Sequence, residues 1–421
     1  MANPTGAGQS SSGAGPGASA LFAPGSGASG LSPGEMQSLV DRSANLNMLS
    51  IPVSDTSQTA IFGAGSGAPI GMRVHEALHR FQINAQPPGS HSPLTATNVV
   101  GEEVARFKHR WMLAPDDFVA VPGRLPPPTA LDPSRSQRFV MLDSVCNFGE
   151  SGNGFRGFGT GMTFPMTRNA QTRLQVTAIG TILEGFGEFQ GHDEGTYLYC
   201  GTIDLNCGFM GNVMLRVIDR QDTFSTDSVL SEPEELANPD PRVTYLLLRG
   251  EAVPSDSVTP RIGPGGQPMG LTVEQGLRLF DIDFKIRGEG GLRCTAQPGQ
   301  HVGKITATIN FNPASPGGTS LNPIPFTNFD QFVFTDRQGC RIGGFNANSS
   351  DGRVFLTQVG GQPAIRFGGT GQILNGDGPF QGINGLITDN SLVVFAPHVS
   401  ASVYVLRIPD STGKFRAAFQ G

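Results

Sequence analysis

The chain is poor in charged residues and contains no long run of apolar residues. Charged residues make up 15% of its 421 positions, and the formal net charge is −6. Because no cluster of basic residues is present, the sequence lacks the electrostatic footprint of nucleic-acid binding, and no nucleic-acid partner is expected. No apolar stretch reaches the length of a membrane span, so no membrane-spanning segment is predicted.

Cysteine is also scarce, with five residues and no C-x-x-C spacing. This number and spacing predict neither a disulfide framework nor a zinc ribbon. Each cysteine lies in a strand-like context, which favours buried thiols in a reducing compartment. The first 30 residues lack the basic and apolar regions of a signal peptide. A cytoplasmic location is therefore predicted.

Glycine and proline, in contrast, are abundant, with 58 and 32 residues. Few charges combined with many glycines and prolines are typical of a many-stranded, many-turned protein. Residues 1–30 consist almost wholly of Gly, Ala, Ser and Pro. Such a segment buries too little surface to offset its chain entropy, so a disordered tail is predicted there.

One string of residues occurs twice, at 180–191 and at 371–382. The copies read G-T-I-L-E-G-F-G-E-F-Q-G and G-Q-I-L-N-G-D-G-P-F-Q-G. An internal repeat of this kind predicts a duplicated β-module. The Gly-x-Gly step permits a positive φ at a tight corner, after which Phe189 and Phe380 are predicted to turn back into the core. Neither copy is followed by a helical pattern, so a phosphate cradle is disfavoured.

The repeated string resembles the G-x-G-x-F-x-G-x-x-G corner of the allene oxide cyclase and dirigent type of calycin-like barrel. The second copy is the closer match, because Gly385 follows Gly382 by three residues and residues 403–408 supply a closing strand. The resemblance implies a mainly β fold with two tandem antiparallel calycin-like β-barrels. It also implies an apolar small-molecule ligand held inside a barrel and no cofactor.

The segment before the barrels is predicted to be helical. Ser32 and Pro33 form an N-cap with proline at the first helical position. Helical spacing of apolar residues predicts further helices over 71–81 and 102–113. The predicted organisation is then a tail at 1–30, a helical segment with a proline-rich connector at 31–137, a first barrel at 138–270 and a second barrel at 271–421.

His75, Glu76 and His79 fit the H-E-x-x-H pattern of zinc hydrolases. On a helix the two histidines lie one turn apart and can bind zinc, while the glutamate activates a water. The sequence lacks the usual third ligand, and Pro87 ends the segment early. A helix whose polar face carries two histidines is therefore favoured over a metal site.

Acidic residues surround the first copy of the repeated string. Glu184, Glu188 and His192 stand where the second copy has uncharged residues. A carboxylate drawn into a barrel mouth has a raised pKa and can donate or accept a proton. Asp204 and Glu251 lie in apolar strands and are candidates to point into the same interior. These five residues are the predicted catalytic set, and the alternative for each is a solvated outer face.

Three functions remain open at this point. The first is a cofactor-independent isomerase or cyclase that acts on an apolar natural product or lipid-like molecule inside a barrel. The second is a non-catalytic barrel that binds a ligand or a partner. The third is a zinc hydrolase that uses His75 and His79. Homo-oligomerisation is compatible with all three.

Overall fold

The structure is a computed structural model of the chain. It describes residues 30–42, 46–52, 57–65, 67–86, 95–149, 152–168, 171–190, 196–204, 208–217, 243–253, 256–264, 268–286, 292–311 and 324–409. The fold of these residues is mainly β, as predicted, with two nine-stranded antiparallel sheets and a single α-helix. The tail predicted at 1–30 lies outside the described residues, apart from its last residue.

In the first sheet, the first strand pairs with two other strands of that sheet. Its strands are β1 (Leu46–Pro52), β2 (Ser57–Phe62), β3 (Pro69–Gln86), β4 (Thr95–Ala114), β5 (Gln137–Phe148), β6 (Asn153–Arg168), β7 (Gln171–Phe186), β8 (Thr196–Asp204) and β9 (Gly208–Val217). They pair in the order β1-β9-β8-β7-β6-β5-β4-β3-β2. Because β1 also pairs with β3, the strands form a ring that leaves β2 outside it.

The second sheet has the same arrangement. Its strands are β10 (Val243–Glu251), β11 (Val258–Ile262), β12 (Pro268–Ile286), β13 (Leu292–Phe311), β14 (Ile324–Thr335), β15 (Arg341–Val359), β16 (Gln362–Asp377), β17 (Gly385–Val394) and β18 (Val399–Pro409). Their order is β10-β18-β17-β16-β15-β14-β13-β12-β11, and β10 also pairs with β12. One apolar cluster contains residues of both sheets, so the sheets pack against each other.

The helices predicted over 71–81 and 102–113 are wrong, because both segments are strands of the first sheet, β3 and β4. Apolar residues four positions apart, such as Val74 and Leu78, share one face of a helix but also one face of a strand. Both are fully buried, and Glu76 between them is buried as well. Burial therefore repeats every two residues in this segment, as it does in a strand.

The strands also divide between the sheets differently from the predicted boundaries. Residues 46–114, predicted to precede the first barrel, supply β1 to β4 of the first sheet. The strand at 243–251, predicted in the first barrel, is β10 of the second sheet. It pairs with β18 along its whole length. This pairing joins residues far apart in the chain, which local patterns do not reveal.

Helix α1 (Pro33–Arg42) begins at the predicted N-cap. The backbone nitrogen and the hydroxyl of Ser32 donate to Glu35 Oε2 at 2.8 and 2.7 Å, and the Glu35 backbone nitrogen donates to Ser32 Oγ at 3.3 Å. This reciprocal pair is a capping box, which satisfies donors at the helix start. Met36 and Val40 pack against the second sheet. The first element of the chain therefore covers the second sheet.

The connector between β4 and β5 lies against the first sheet. Phe118 and Ala120 pack on its outer face in an apolar cluster with Leu142 and Phe158. Further along, the backbone nitrogen of Leu131 donates to the Pro69 carbonyl oxygen at 2.7 Å. The connector is thereby fixed at both of these points.

The two copies of the repeated string form matching corners, as predicted. Gly187 and Gly378 have φ angles of 64° and 57°, in the region that favours glycine. Phe189 and Phe380 follow and are 0% and 1% exposed. Phe189 stacks on a phenylalanine of β5 at 5.0 Å, and Phe380 stacks on one of β14 at 4.6 Å. The predicted burial of both phenylalanines in the core is confirmed.

Candidate active site

The buried face of the first sheet carries polar side chains among aromatic rings. Glu76 on β3, His109 on β4 and Tyr199 on β8 are 2%, 3% and 1% exposed. Because side chains alternate between the faces of a strand, Glu76 shares this face with Val74 and Leu78. We refer to Glu76, His109 and Tyr199 as the polar centre.

The polar centre is held by one short hydrogen bond and by ring contacts. The Tyr199 hydroxyl donates to Glu76 Oε1 at 2.7 Å. The His109 ring packs edge-on against the Tyr199 ring, with centroids 4.7 Å apart. His109 Nε2 lies 3.9 Å from Glu76 Oε2, which is too long for a hydrogen bond. The carboxyl group is therefore fixed through one oxygen only.

Three polar atoms of the centre lack a hydrogen-bond partner within the described residues. They are Glu76 Oε2 and both ring nitrogens of His109. Leaving a buried polar atom unsatisfied costs about 1–3 kcal/mol. An uncharged imidazole has one donor nitrogen and one acceptor nitrogen, so His109 offers both kinds of contact. These three atoms therefore have unused hydrogen-bonding capacity within the described residues.

Burial keeps Glu76 and His109 uncharged near neutral pH. Desolvation raises the pKa of Glu76 to about 8, although the hydrogen bond from Tyr199 partly lowers it. Desolvation lowers the pKa of His109 to about 3, and the nearby His75 adds to this effect. Glu76 is then a carboxylic acid that can donate its proton, and His109 is a neutral imidazole.

The surroundings of the centre are apolar or unreactive. Phe107 lies 4.9 Å from the His109 ring and 5.9 Å from the Tyr199 ring. Burial and the neighbouring Glu76 carboxyl raise the pKa of Cys146, which therefore remains a thiol. Glu76 is thus the group of this cluster whose proton exchanges closest to physiological pH.

The second sheet places a neutral amide where the first has Glu76. Gln275 on β12 pairs with Ile305, as Glu76 on β3 pairs with Phe107. The Tyr404 hydroxyl donates to Gln275 Oε1 at 2.7 Å. Gln275 Nε2 donates hydrogen bonds to two serine hydroxyls of β18, each at 2.8 Å. The polar atoms of this amide are satisfied.

Two buried carboxyl groups of the second sheet lie on strands other than that of Gln275. Asp330 on β14 and Asp389 on β17 are 3% and 6% exposed. Burial, together with the charge of Asp389, raises the pKa of Asp330 well above its usual range. The two carboxyl groups are therefore close enough to interact.

Two of the predicted catalytic residues, Glu184 and Glu251, have described side chains, and they lie in different sheets. Glu184 is exposed on β7 and its Oε2 lies 3.2 Å from a guanidinium nitrogen of Arg156. Glu251 belongs to the second sheet, on β10, and contacts the guanidinium groups of Arg249 and Arg278. These two carboxylates hold surface or partly buried ion pairs.

The other predicted catalytic residues have no described side chain. Glu188 lies in the short turn Gly187–Phe189 and Asp204 lies at the end of β8, where the backbone alone is described. His192 lies outside the described residues. The catalytic roles predicted for these residues stay predictions.

The geometry expected for the H-E-x-x-H motif is wrong. The motif lies on strand β3, so His75 and Glu76 point to opposite faces. His75 is exposed, whereas Glu76 is buried. Positions four apart on a strand are separated by about 13 Å, too far to bind one zinc ion. Among the described residues no group of three or more His, Cys, Asp or Glu side chains is arranged for a metal.

Sequence reasoning missed His109 and Tyr199 and gave Glu76 a different role. A signal was available for the strands that carry Glu76 and His109, because residues 69–81 match residues 268–280. Matching pairs include Pro69 with Pro268 and Gly71 with Gly270. That match indicates that both segments have the same secondary structure. The alternation of residues 107, 109, 111 and 113 on β4 then indicates a buried strand face.

An open groove lies on the outer face of the first sheet, beside the connector. Its volume is about 460 Å³. Asp143 at its edge has a φ of 53°, and a bulge in β5 occurs at this point. Its carboxylate lies 2.7 Å from a guanidinium nitrogen of Arg110. The apolar part of the lining consists of Leu125, Leu142, Val145, Phe158 and Leu183.

The thiols differ from the predicted uniform burial. Cys146 is buried, but Cys340 is exposed in the turn between β14 and β15. The side chains of the other three cysteines are not described. No helix within the described ranges is long and apolar enough to cross a membrane.

Comparison with known proteins yields no relative. No protein-family model matches the chain, and neither a curated protein nor a solved structure matches it.

Proposed function

We propose that the two sheets are two copies of one calycin-like barrel. Their strand orders are the same, and both have the additional pairing that joins the first strand to the third. The corners at Phe189 and Phe380 pack alike. The resemblance to the allene oxide cyclase type of corner supports this proposal.

We propose that the first sheet is a cofactor-independent isomerase or cyclase for an apolar small molecule, with the polar centre as its active site. The observation that carries this proposal is the unsatisfied set of polar atoms on Glu76 and His109. Retaining such atoms in an aromatic interior is costly, and perturbed titratable groups concentrate at functional sites.

In this proposal Glu76 moves a proton between two carbon atoms of the substrate. Its carboxylate form removes a proton from one carbon, and the electron pair enters the adjacent unsaturated system. The carboxylic acid so formed returns the proton at another carbon. Tyr199 holds Oε1, so that Oε2 is the oxygen that exchanges the proton. The pKa of about 8 lies close to working pH, where general acid–base catalysis is most effective.

The test uses the full chain and a β,γ-unsaturated ketone as the probe. Shift of one proton gives the conjugated ketone, which is followed by its ultraviolet absorbance. The rate is expected to rise with pH through about 8, as the Glu76 carboxylate forms. Glu76→Gln should lower the rate by about 100-fold or more, the usual contribution of a general base.

The control is Glu184→Gln, the same chemical change at an exposed carboxylate of the first sheet. It should leave the rate unchanged, because Glu184 lies outside the polar centre. Equal rates for wild type and Glu76→Gln would contradict the proposal, and so would a wild-type rate equal to that of buffer alone.

The outer groove favours a second candidate function, non-catalytic binding of an apolar ligand. A volume of about 460 Å³ lies within the range of small-molecule sites. Anilinonaphthalene sulfonate is a suitable probe, because its fluorescence increases in an apolar site. Leu183→Glu should abolish this increase if the groove is the site, and Glu76→Gln should leave it unchanged.

A further inference from the structure

The outer groove beside the connector combines apolar and basic side chains. Leu125 and Leu183 line it and are 58% and 43% exposed, so they present apolar surface to solvent. Arg110 and Arg156 line the same groove, and Asp143 is the acidic residue among its lining residues. The lining therefore carries two guanidinium groups against one carboxylate.

Two strand irregularities lie at this groove. Asp143, with its positive φ, belongs to the bulge in β5. Arg156 pairs with Glu184 while Gly157 pairs with Ile182, so Leu183 is the extra residue of a bulge in β7. Bulges redirect side chains and occur often beside functional sites, and strained residues concentrate at ligand sites. Both irregularities therefore direct attention to this surface as a binding site.

The ion pair of Arg156 is open to exchange. Its guanidinium nitrogen donates to Glu184 Oε2 at 3.2 Å, and the two side chains are 65% and 61% exposed. An exposed ion pair of this kind contributes little to stability, and a guanidinium group has five N–H donors. A carboxylate from a ligand can therefore replace Glu184 or bind beside it.

The second sheet has no charges at the matching place. Asn375 stands where the repeated string of the first sheet has Glu184. Its side-chain oxygen accepts a hydrogen bond from Asn346 Nδ2 at 3.3 Å, across the same two strands that carry Arg156 and Glu184 in the first sheet. A neutral pair is compatible with this fold, so the guanidinium group of Arg156 is available for another role.

We propose that the outer groove binds an anionic amphiphile, a free molecule of the fatty-acid class with one apolar chain and one carboxylate. The chain would lie on Leu125 and Leu183, and the carboxylate would contact Arg156, with Arg110 adding positive charge. Guanidinium and carboxylate groups match in geometry and form strong charge-assisted hydrogen bonds. This inference rests on the apolar binding proposed above for the groove and adds the charge of the ligand.

The test compares octanoate with 1-octanol, which has the same chain length and no charge. Calorimetric titration of the full chain measures both affinities. Both probes should bind in the groove. The affinity for octanoate should fall as sodium chloride is added, because salt screens exposed charges, whereas the affinity for octanol should not fall.

Variants of the two halves of the ion pair should act in opposite directions. Arg156→Gln should weaken octanoate binding about fivefold, and Glu184→Gln should strengthen it by removing a competing carboxylate. Each octanoate affinity is expressed relative to octanol in the same variant, which cancels changes in apolar surface. A general disturbance of the groove would move both variants in the same direction.

The matched control is Arg341→Gln. Arg341 forms an exposed ion pair with Asp377 at the second corner, at 2.6 Å, so its change removes the same charge far from the groove residues in the chain. It should leave octanoate binding unchanged. If octanol binds and Arg156→Gln leaves the octanoate affinity unchanged, this inference alone fails. If neither probe binds, the binding function proposed for the groove fails with it.

Discussion

Glu76 and Gln275 occupy matching places in the two sheets but create different surroundings. Each is buried, and each accepts a 2.7 Å hydrogen bond from a tyrosine hydroxyl. The amide of Gln275 is satisfied on both sides, whereas Glu76 Oε2 has no partner within the described residues. The two sheets therefore differ at this place in hydrogen bonding as well as in chemistry, and the proposed function depends on that difference.

The corners of the two sheets are alike in their apolar residues and differ in their charged residues. Phe189 and Phe380 follow glycines of similar φ, and both pack in the apolar core. The charged residues around the first corner, such as Glu184, have no counterpart in the second. The apolar residues of the corner are therefore what the fold requires, and its charges are free to differ.

The largest difference between the sheets is expected in the pH dependence of stability. The folded chain keeps the proton of Glu76 up to a pKa of about 8, whereas the ordinary value is 4.5. A raised folded-state pKa means that stability falls as pH rises through this window. Relative to Glu76→Gln, the wild type should lose about 1.4 kcal/mol per pH unit, or roughly 5 kcal/mol in total. Urea unfolding at intervals from pH 4.5 to 8 measures it.

The contribution of Glu76 is the difference between the pH profiles of stability of the variant and the wild type. Asp330 in the second sheet also has a raised pKa and contributes its own fall in stability as pH rises. Subtracting the Glu76→Gln profile from that of the wild type removes this shared contribution. Glu184→Gln is the matched control and should follow the wild-type profile. A Glu76→Gln profile parallel to that of the wild type would show that Glu76 titrates normally.

The two corners are expected to respond alike to truncation. Phe189→Ala and Phe380→Ala should each lower the free energy of unfolding by about 3–5 kcal/mol, as for other buried aromatic residues. Denaturant unfolding of the two variants, measured side by side, makes the comparison. If one change were silent, the corners would not be equivalent in energy despite their similar packing.

The sequence predicted features that depend on neighbouring residues. The mainly β class, the N-cap at Ser32 and the burial of Phe189 and Phe380 follow from local patterns. The assignment of 71–81 to a helix failed because a spacing of four fits both periods. Pairings such as β10 with β18 join distant segments, and only the folded chain defines them.

The polar centre could be predicted in part only. Glu76 stood out by its motif, but the motif was interpreted as part of the polar face of a helix, with a zinc site as the less favoured alternative. Its true neighbours, His109 and Tyr199, come from strands β4 and β8, and their contact depends on the whole sheet. No local sequence pattern predicts that two side chains from distant strands contact each other inside a sheet.

The tyrosines give the smallest expected effect and the most selective test. Tyr199→Phe and Tyr404→Phe remove the buried hydrogen bonds to Glu76 and Gln275, and loss of such a bond should lower the free energy of unfolding by about 1 kcal/mol. Titration separates the two variants. The bond from Tyr199 lowers the pKa of Glu76, so Tyr199→Phe should raise this pKa above 8 and extend the fall in stability to higher pH. Tyr404→Phe should leave the Glu76 window in place, because its partner Gln275 does not titrate. The measurement is the pH profile of each variant against the same variant carrying Glu76→Gln. An unchanged window in Tyr199→Phe would mean that the hydrogen bond holds Glu76 in position without adjusting its acidity.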